Sequence, residues 1–228
     1  MTDSQMIALL KPVQTAWKNT CKDYDSFALN SERCLQAALY FHLRSALPKR
    51  EGYVIFIEAT VHLPAVASDK TTETVVSEAK RVAIDTLICK GDEILIAMEL
   101  KYTPRGFPTQ AGISKDLLSL SHIRNHAAKA RRVEIEISRH RETSIGNEKV
   151  LTISPQAKML LGILCREPTG GMQDRVFWER HAPVEGPWAQ RARSLPPRLG
   201  LCLGYASTPG SGIKARPRFV GQPFADIV

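Results

Sequence analysis

The sequence predicts an α/β fold, a central sheet flanked by helices, and three observations carry that expectation. The run Ile94 to Met98 is apolar at every position, as in a strand covered on both faces. Arg81 to Tyr102 reads as two strand-like apolar runs joined by a turn, each interrupted by one acid, Asp85 and Glu99. Helical spacing lies on either side of this hairpin, so the element order is helix, three strands, helix, strand.

After an N-terminal helical lead-in, Ser31 can cap a helix whose apolar stripe is Leu35, Ala38, Leu39, Leu43 and Ala46. Glu32 lies on that stripe in the first turn, where its charge also complements the helix dipole. Tyr53 to Leu63 follows as a strand, with Tyr53, Ile55, Ile57, Ala59, Val61 and Leu63 on one face and Glu58 in the middle of the other. Glu58 is either a further site acid or a charge paired with a neighbouring Lys or Arg.

In the hairpin, Val82 to Cys89 and Ile94 to Met98 flank the turn residues Lys90-Gly91-Asp92-Glu93. A two-residue loop at Gly91-Asp92 sets Asp85 opposite Met98, whereas a three-residue loop or a bulge brings Asp85 against Glu99. Two like charges that close need a cation between them. Glu99 and Lys101, two apart, share a strand face. Ser114 can cap the second helix, opened by Lys115 and Asp116, with Leu117, Leu118, Leu120, Ile123 and Ala127 as its apolar positions. Met159 to Cys165 is strand-like, and Gly162 within it marks a bulge or close packing.

An acid, a hairpin and then Glu-x-Lys resembles the PD-(D/E)XK nuclease superfamily, with Asp85 as the first-motif acid and Glu99-Leu100-Lys101 as the second motif. Ile84 stands where the family name has proline. The resemblance covers about Ser31 to Cys165 and implies a restriction-endonuclease-like αβββαβ core with a mixed central sheet. It also implies that Glu32, from the first core helix, completes the acidic cluster.

On this reading Mg2+ or Mn2+ is held by Asp85 and Glu99, assisted by the Leu100 carbonyl and Glu32, while Lys101 orients or deprotonates the attacking water. The implied substrate is nucleic acid, DNA by resemblance, and a homodimer is one option for the assembly. Two other classes compete: a nucleic-acid-binding or assembly module that kept the core without hydrolysis, and a salt-bridged cluster of Asp85, Glu99 and Lys101 without metal.

Composition bounds the rest. With 228 residues the chain can build a large core without disulfides or a structural metal. Residues 1–165 read as the nuclease-like core and 166–228 as a Pro- and Arg-rich extension of one enlarged domain. Five scattered cysteines without a C-x-x-C pair, no basic leader before MIALL, and no apolar stretch of spanning length lead to the expectation of a soluble, cytoplasmic protein.

The net charge of +8 favours a polyanionic partner. Arg124, Lys129, Arg131, Arg132, Arg139 and Arg141 form either a phosphate-contacting run or a solvated face. His122 and His126 share a helical face but lack further zinc ligands nearby. Pro64 to Lys80 reads as an excursion near the site, and Leu199 to Tyr205 as a strand returning to the sheet edge. Trp178 and Trp188 are core or base-stacking residues, and Gly210 to Arg218 is a basic loop or tail.

Overall fold

The structure, a computed structural model, describes residues 2–26, 28–64, 80–127, 132–136, 148–166, 199–206 and 215–225. It is a mixed α/β fold whose seven described strands form one mixed sheet. In chain order the elements are α1 (Asp3–Asp25), α2 (Glu32–Ala46), β1 (Tyr53–Leu63), β2 (Lys80–Lys90), β3 (Glu93–Thr103), α3 (Gln110–Ala127), β4 (Arg132–Glu136), β5 (Glu148–Arg166), β6 (Leu199–Ala206) and β7 (Ala215–Val220). The helical turn α4 (Gln222–Ala225) follows. No helix among the described residues is long and apolar enough to cross a membrane.

Side-chain caps start the first two helices. The Thr2 hydroxyl accepts from Gln5 N while Gln5 Oε1 accepts from Thr2 N, a reciprocal capping box. Ser31 accepts from Cys34 N at 3.2 Å, as the sequence predicts. Met6, Leu9, Leu10, Val13 and Trp17 of α1 and Leu35, Leu39 and Leu43 of α2 pack on one sheet face with Ile88, Ile96, Met98 and Leu100. Ile113, Leu117, Leu120 and Ile123 of α3 cover the opposite face.

The strand order is β3-β2-β1-β4-β5-β6-β7, and β3 also pairs with β5, so β3, β2, β1, β4 and β5 close on themselves. β3 therefore lies between antiparallel β2 and parallel β5, which accounts for its unbroken apolar run. β5 is longer than Met159 to Cys165: its first residues pair with β4, a strand absent from the sequence-based order, and the rest pair with β3 and β6. β6 is internal, between β5 and β7, where an edge strand was expected. All eight of its residues are buried, so its lack of polar alternation has the same cause as that of β3.

Two expectations need correction. β1 does not keep one apolar face: Tyr53 and Ile55 pack towards the α1 and α2 side, Ala59, Val61 and Leu63 towards α3, and Ile57 is exposed. The break is at Glu58, a non-glycine residue with φ of 50°, which rotates the rest of the strand. α3 begins at Gln110 rather than after Ser114, because Thr109 supplies the cap by accepting from Gly112 N at 3.1 Å. Leu118, expected in the apolar stripe, is exposed, because the buried face of α3 runs through Ile113, Asp116, Leu117, Leu120 and Ile123.

Gly162 marks close packing. A Cβ there would lie 2.6 Å from Met98 Cε, 2.7 Å from Leu100 Cδ2 and 3.0 Å from Trp17 Cζ3. Gly162→Ala is expected to destabilise the fold by about 1–3 kcal/mol through overpacking, read as a lower denaturant midpoint.

Candidate functional site

Two residues, Gly91 and Asp92, form the hairpin turn, and Lys90 pairs with Glu93 across it. Carried straight up the ladder, that register would set Asp85 against Met98. A bulge prevents this: Cys89 pairs with Ile94 but Ile88 pairs with Ile96, leaving Leu95 as the extra residue on β3. Leu95 and Ile96 then pack into the same core cluster, and every later β3 side chain changes face. Thr86 pairs with Met98, so one step further Asp85 stands against Glu99. The turn is thus the even-length one, and the bulge brings the acids together.

Asp85 is fixed from two directions. Its Oδ2 accepts from Leu100 N at 2.7 Å, and its carbonyl oxygen accepts from Gln36 Nε2 of α2 at 2.8 Å. Lys101 Nζ lies 3.0 Å from Asp116 Oδ2 on α3 and 3.9 Å from Glu32 Oε2 on α2. Glu32 Oε2 also accepts from Tyr102 N at 3.4 Å. The structure therefore brings Glu32, Asp85, Glu99 and Lys101 to one place, with Leu100 contributing its backbone while its side chain is buried on the other face. Glu32 is not in the apolar stripe of α2 but half-exposed at the helix start.

The electrostatics are those of crowded acids. Burial, then the charges of Asp85 and Asp116, then a hydrogen bond with Asp85 push the Glu99 carboxyl up to about 10. Burial raises Asp116 to about 6 although Lys101 opposes the shift. Burial also works against the Lys101 ammonium, but Asp116, Glu32 and Asp85 outweigh it and hold Lys101 above the ordinary lysine range. Glu99 keeps a proton at neutral pH unless a cation takes its place.

These residues line a cleft of about 640 Å³ between the sheet and α3. Its lining includes the acids Glu32, Asp85, Glu99 and Asp116, the cations Lys80, Arg81, Lys101 and Lys115, and His122. Burial, Lys80 and His126 lower the pKa of His122. His126 is not a ligand partner for it, since its ring nitrogens face the His122 carbonyl at 2.8 Å and the Pro64 carbonyl at 3.2 Å. Among the described residues no three His, Cys, Asp or Glu side chains stand in ready-made metal-holding geometry.

Asp116 and Gln36 are site residues that the sequence reading missed. Asp116 carries the signal used for Asp85, an acid on an apolar stripe, with Ile113, Leu117 and Leu120 as its neighbours. Gln36 is a buried amide beside Leu35. Glu58 is exposed at its strand break and does not line the cleft. Of the basic run, Arg124 and Arg132 are described, while Lys129, Arg131, Arg139 and Arg141 lie outside the described residues. So do Trp178, Trp188, Gly210 to Lys214 and nearly all of the Pro64 to Lys80 segment.

No protein-family model, curated protein or solved structure matches the chain.

Proposed function

We propose that the chain is a divalent-cation-dependent nuclease of PD-(D/E)XK type that hydrolyses phosphodiester bonds in DNA. The observation that carries the proposal is the convergence of Asp85 and Glu99 from adjoining strands, with Lys101 on the same face of β3. The order α2, β1, β2, β3, α3, β5, with the short β4 inserted before β5, supports an αβββαβ core. The choice of DNA rests on the family resemblance, and the net charge of +8 favours a polyanion.

Mg2+ or Mn2+ fits the residues present. Their donors are hard oxygens, and Glu99 is a buried carboxyl that a cation would relieve of its proton. Asp85 and Glu99 would hold the ion, with Glu32 and the Leu100 carbonyl assisting. Bound there, it supplies charge shielding and Lewis acidity at a phosphoryl oxygen.

The chain's own groups do the remainder. Lys101, an ammonium held above the ordinary lysine range, orients the attacking water by donating to it and offsets the charge developing on the phosphoryl oxygens. Lys80, Arg81 and Lys115, which also line the cleft, attract flanking phosphates.

The test is incubation with plasmid, single-stranded and branched DNA, with Mg2+, Mn2+ or chelator. Cleavage is expected only with the ion. Lys101→Ala should lower turnover by about 10²–10⁴-fold while keeping ion-induced thermal stabilisation. Cleavage that survives chelator, or equal loss of stabilisation and turnover in Lys101→Ala, would overturn the assignment.

A further inference from the structure

The Lys101 ammonium rides on a flexible four-carbon stem and acts electrostatically on both Asp85 and Glu99. Its Nζ nevertheless sits against α3, 3.0 Å from Asp116 Oδ2. The stem also leans on that helix, since a Cβ built on Gly112 would stand 3.8 Å from Lys101 Cε.

Two features distinguish Asp116 from Glu32 as the partner. The Asp116 side chain is 6% exposed against 48% for Glu32, so its attraction for the ammonium is far less screened. Asp116 Oδ2 is also buried, and its 3.0 Å ion pair with the ammonium offsets the cost of taking that carboxylate out of water.

We infer that Asp116 is a positioning residue for Lys101. It draws the ammonium onto the α3 wall of the cleft and out of the space between Asp85 and Glu99, where a cationic side chain would compete with a divalent ion. This rests on the cation-dependent reading given above. Freed from Asp116, Lys101 keeps Glu32 Oε2 at 3.9 Å and the attraction of the Asp85 and Glu99 charges, and it becomes an internal competitor for the ligand of those carboxyls.

The experiment is a double-mutant cycle on the affinity of the full chain for Mn2+ alone, by calorimetry, without nucleic acid. Lys101→Met should tighten Mn2+ binding by no more than about threefold when Asp116 is present, and by about tenfold or more in the Asp116→Asn background. Equal gains in the two backgrounds would overturn the inference, because Asp116 would then not govern where the ammonium lies.

A second comparison stands even if Asp116→Asn alone fails to fold. Lys101→Met and the double variant, the second of which removes both charges of the pair, should bind Mn2+ with closely similar affinity. A double variant that has lost binding would make Asp116 a ligand of the ion and would also refute the inference. Wild-type protein that binds no Mn2+ refutes the cation reading and this inference together, whereas wild-type binding with additive variants refutes the inference alone.

Discussion

Asp85→Asn should lower cation-dependent DNA cleavage by about 10³-fold or more, roughly 4 kcal/mol of transition-state stabilisation, while leaving the hairpin folded. The asparagine side-chain oxygen can still accept from Leu100 N, and the Gln36 contact is to the Asp85 backbone, so neither local hydrogen bond is lost. What disappears is one of the two facing carboxylates. The wild-type chain should gain about 5–10 °C in melting temperature when Mn2+ stands at roughly a hundred times its dissociation constant, and the variant should gain none. Without ion Glu99 is protonated at neutral pH and carries no charge for Asp85 to repel, so the variant should melt close to wild type. A variant that melts below wild type in chelator would mean that Asp85 serves the fold rather than the cleft.

The second large effect is a loss of stability with rising pH in chelator. Glu99 is raised from an ordinary 4.5 to about 10, and Asp116 from 3.8 to about 6. Between those values the folded chain holds protons that the unfolded chain has released, so stability falls as pH rises. The contribution of each group is complete below its unfolded value and gone above its folded one. Asp116 adds to the slope only up to about pH 6, whereas Glu99 sustains it towards pH 10, at about 1 kcal/mol per pH unit for one proton. Lys101, held above the ordinary lysine range, contributes a further loss only at the alkaline end.

Thermal melts from pH 5 to 9 in chelator should therefore decline, and Glu99→Gln should flatten the decline above pH 6. Saturating Mn2+ should flatten it too, since the ion replaces the proton. A variant as pH-sensitive as wild type would place the titrating group elsewhere.

Much of this was legible in the sequence for identifiable reasons. The α2 stripe Leu35, Leu39 and Leu43 is fully buried, as its spacing requires. Asp85 and Glu99 were conspicuous because carboxylates rarely interrupt buried strands. Asp116 carried the same signal but was missed, because Ser114 was read as the cap of α3 when Thr109 plays that part. Starting the helix at Gln110 puts Asp116 in its second turn, facing the sheet with Ile113 and Leu117. The face change at Glu58 was hidden because alternation in the sequence does not reveal a single residue with positive φ.

The sequence by itself determined α2, β1, β2, β3, α3 and the later part of β5, though not β4 between them, together with the apolar content of β3 and β5 and the acids and lysine of the cleft. These follow from local periodicity and from the cost of burying charge, both of which are properties of neighbouring residues. Only the tertiary structure decided that Asp85 meets Glu99, that Lys101 pairs with Asp116, and that β6 lies inside the sheet. Facing depends on register, and one extra residue at Leu95 reverses it. Pairing between β3 and α3 depends on packing across the core, which no spacing along the chain encodes.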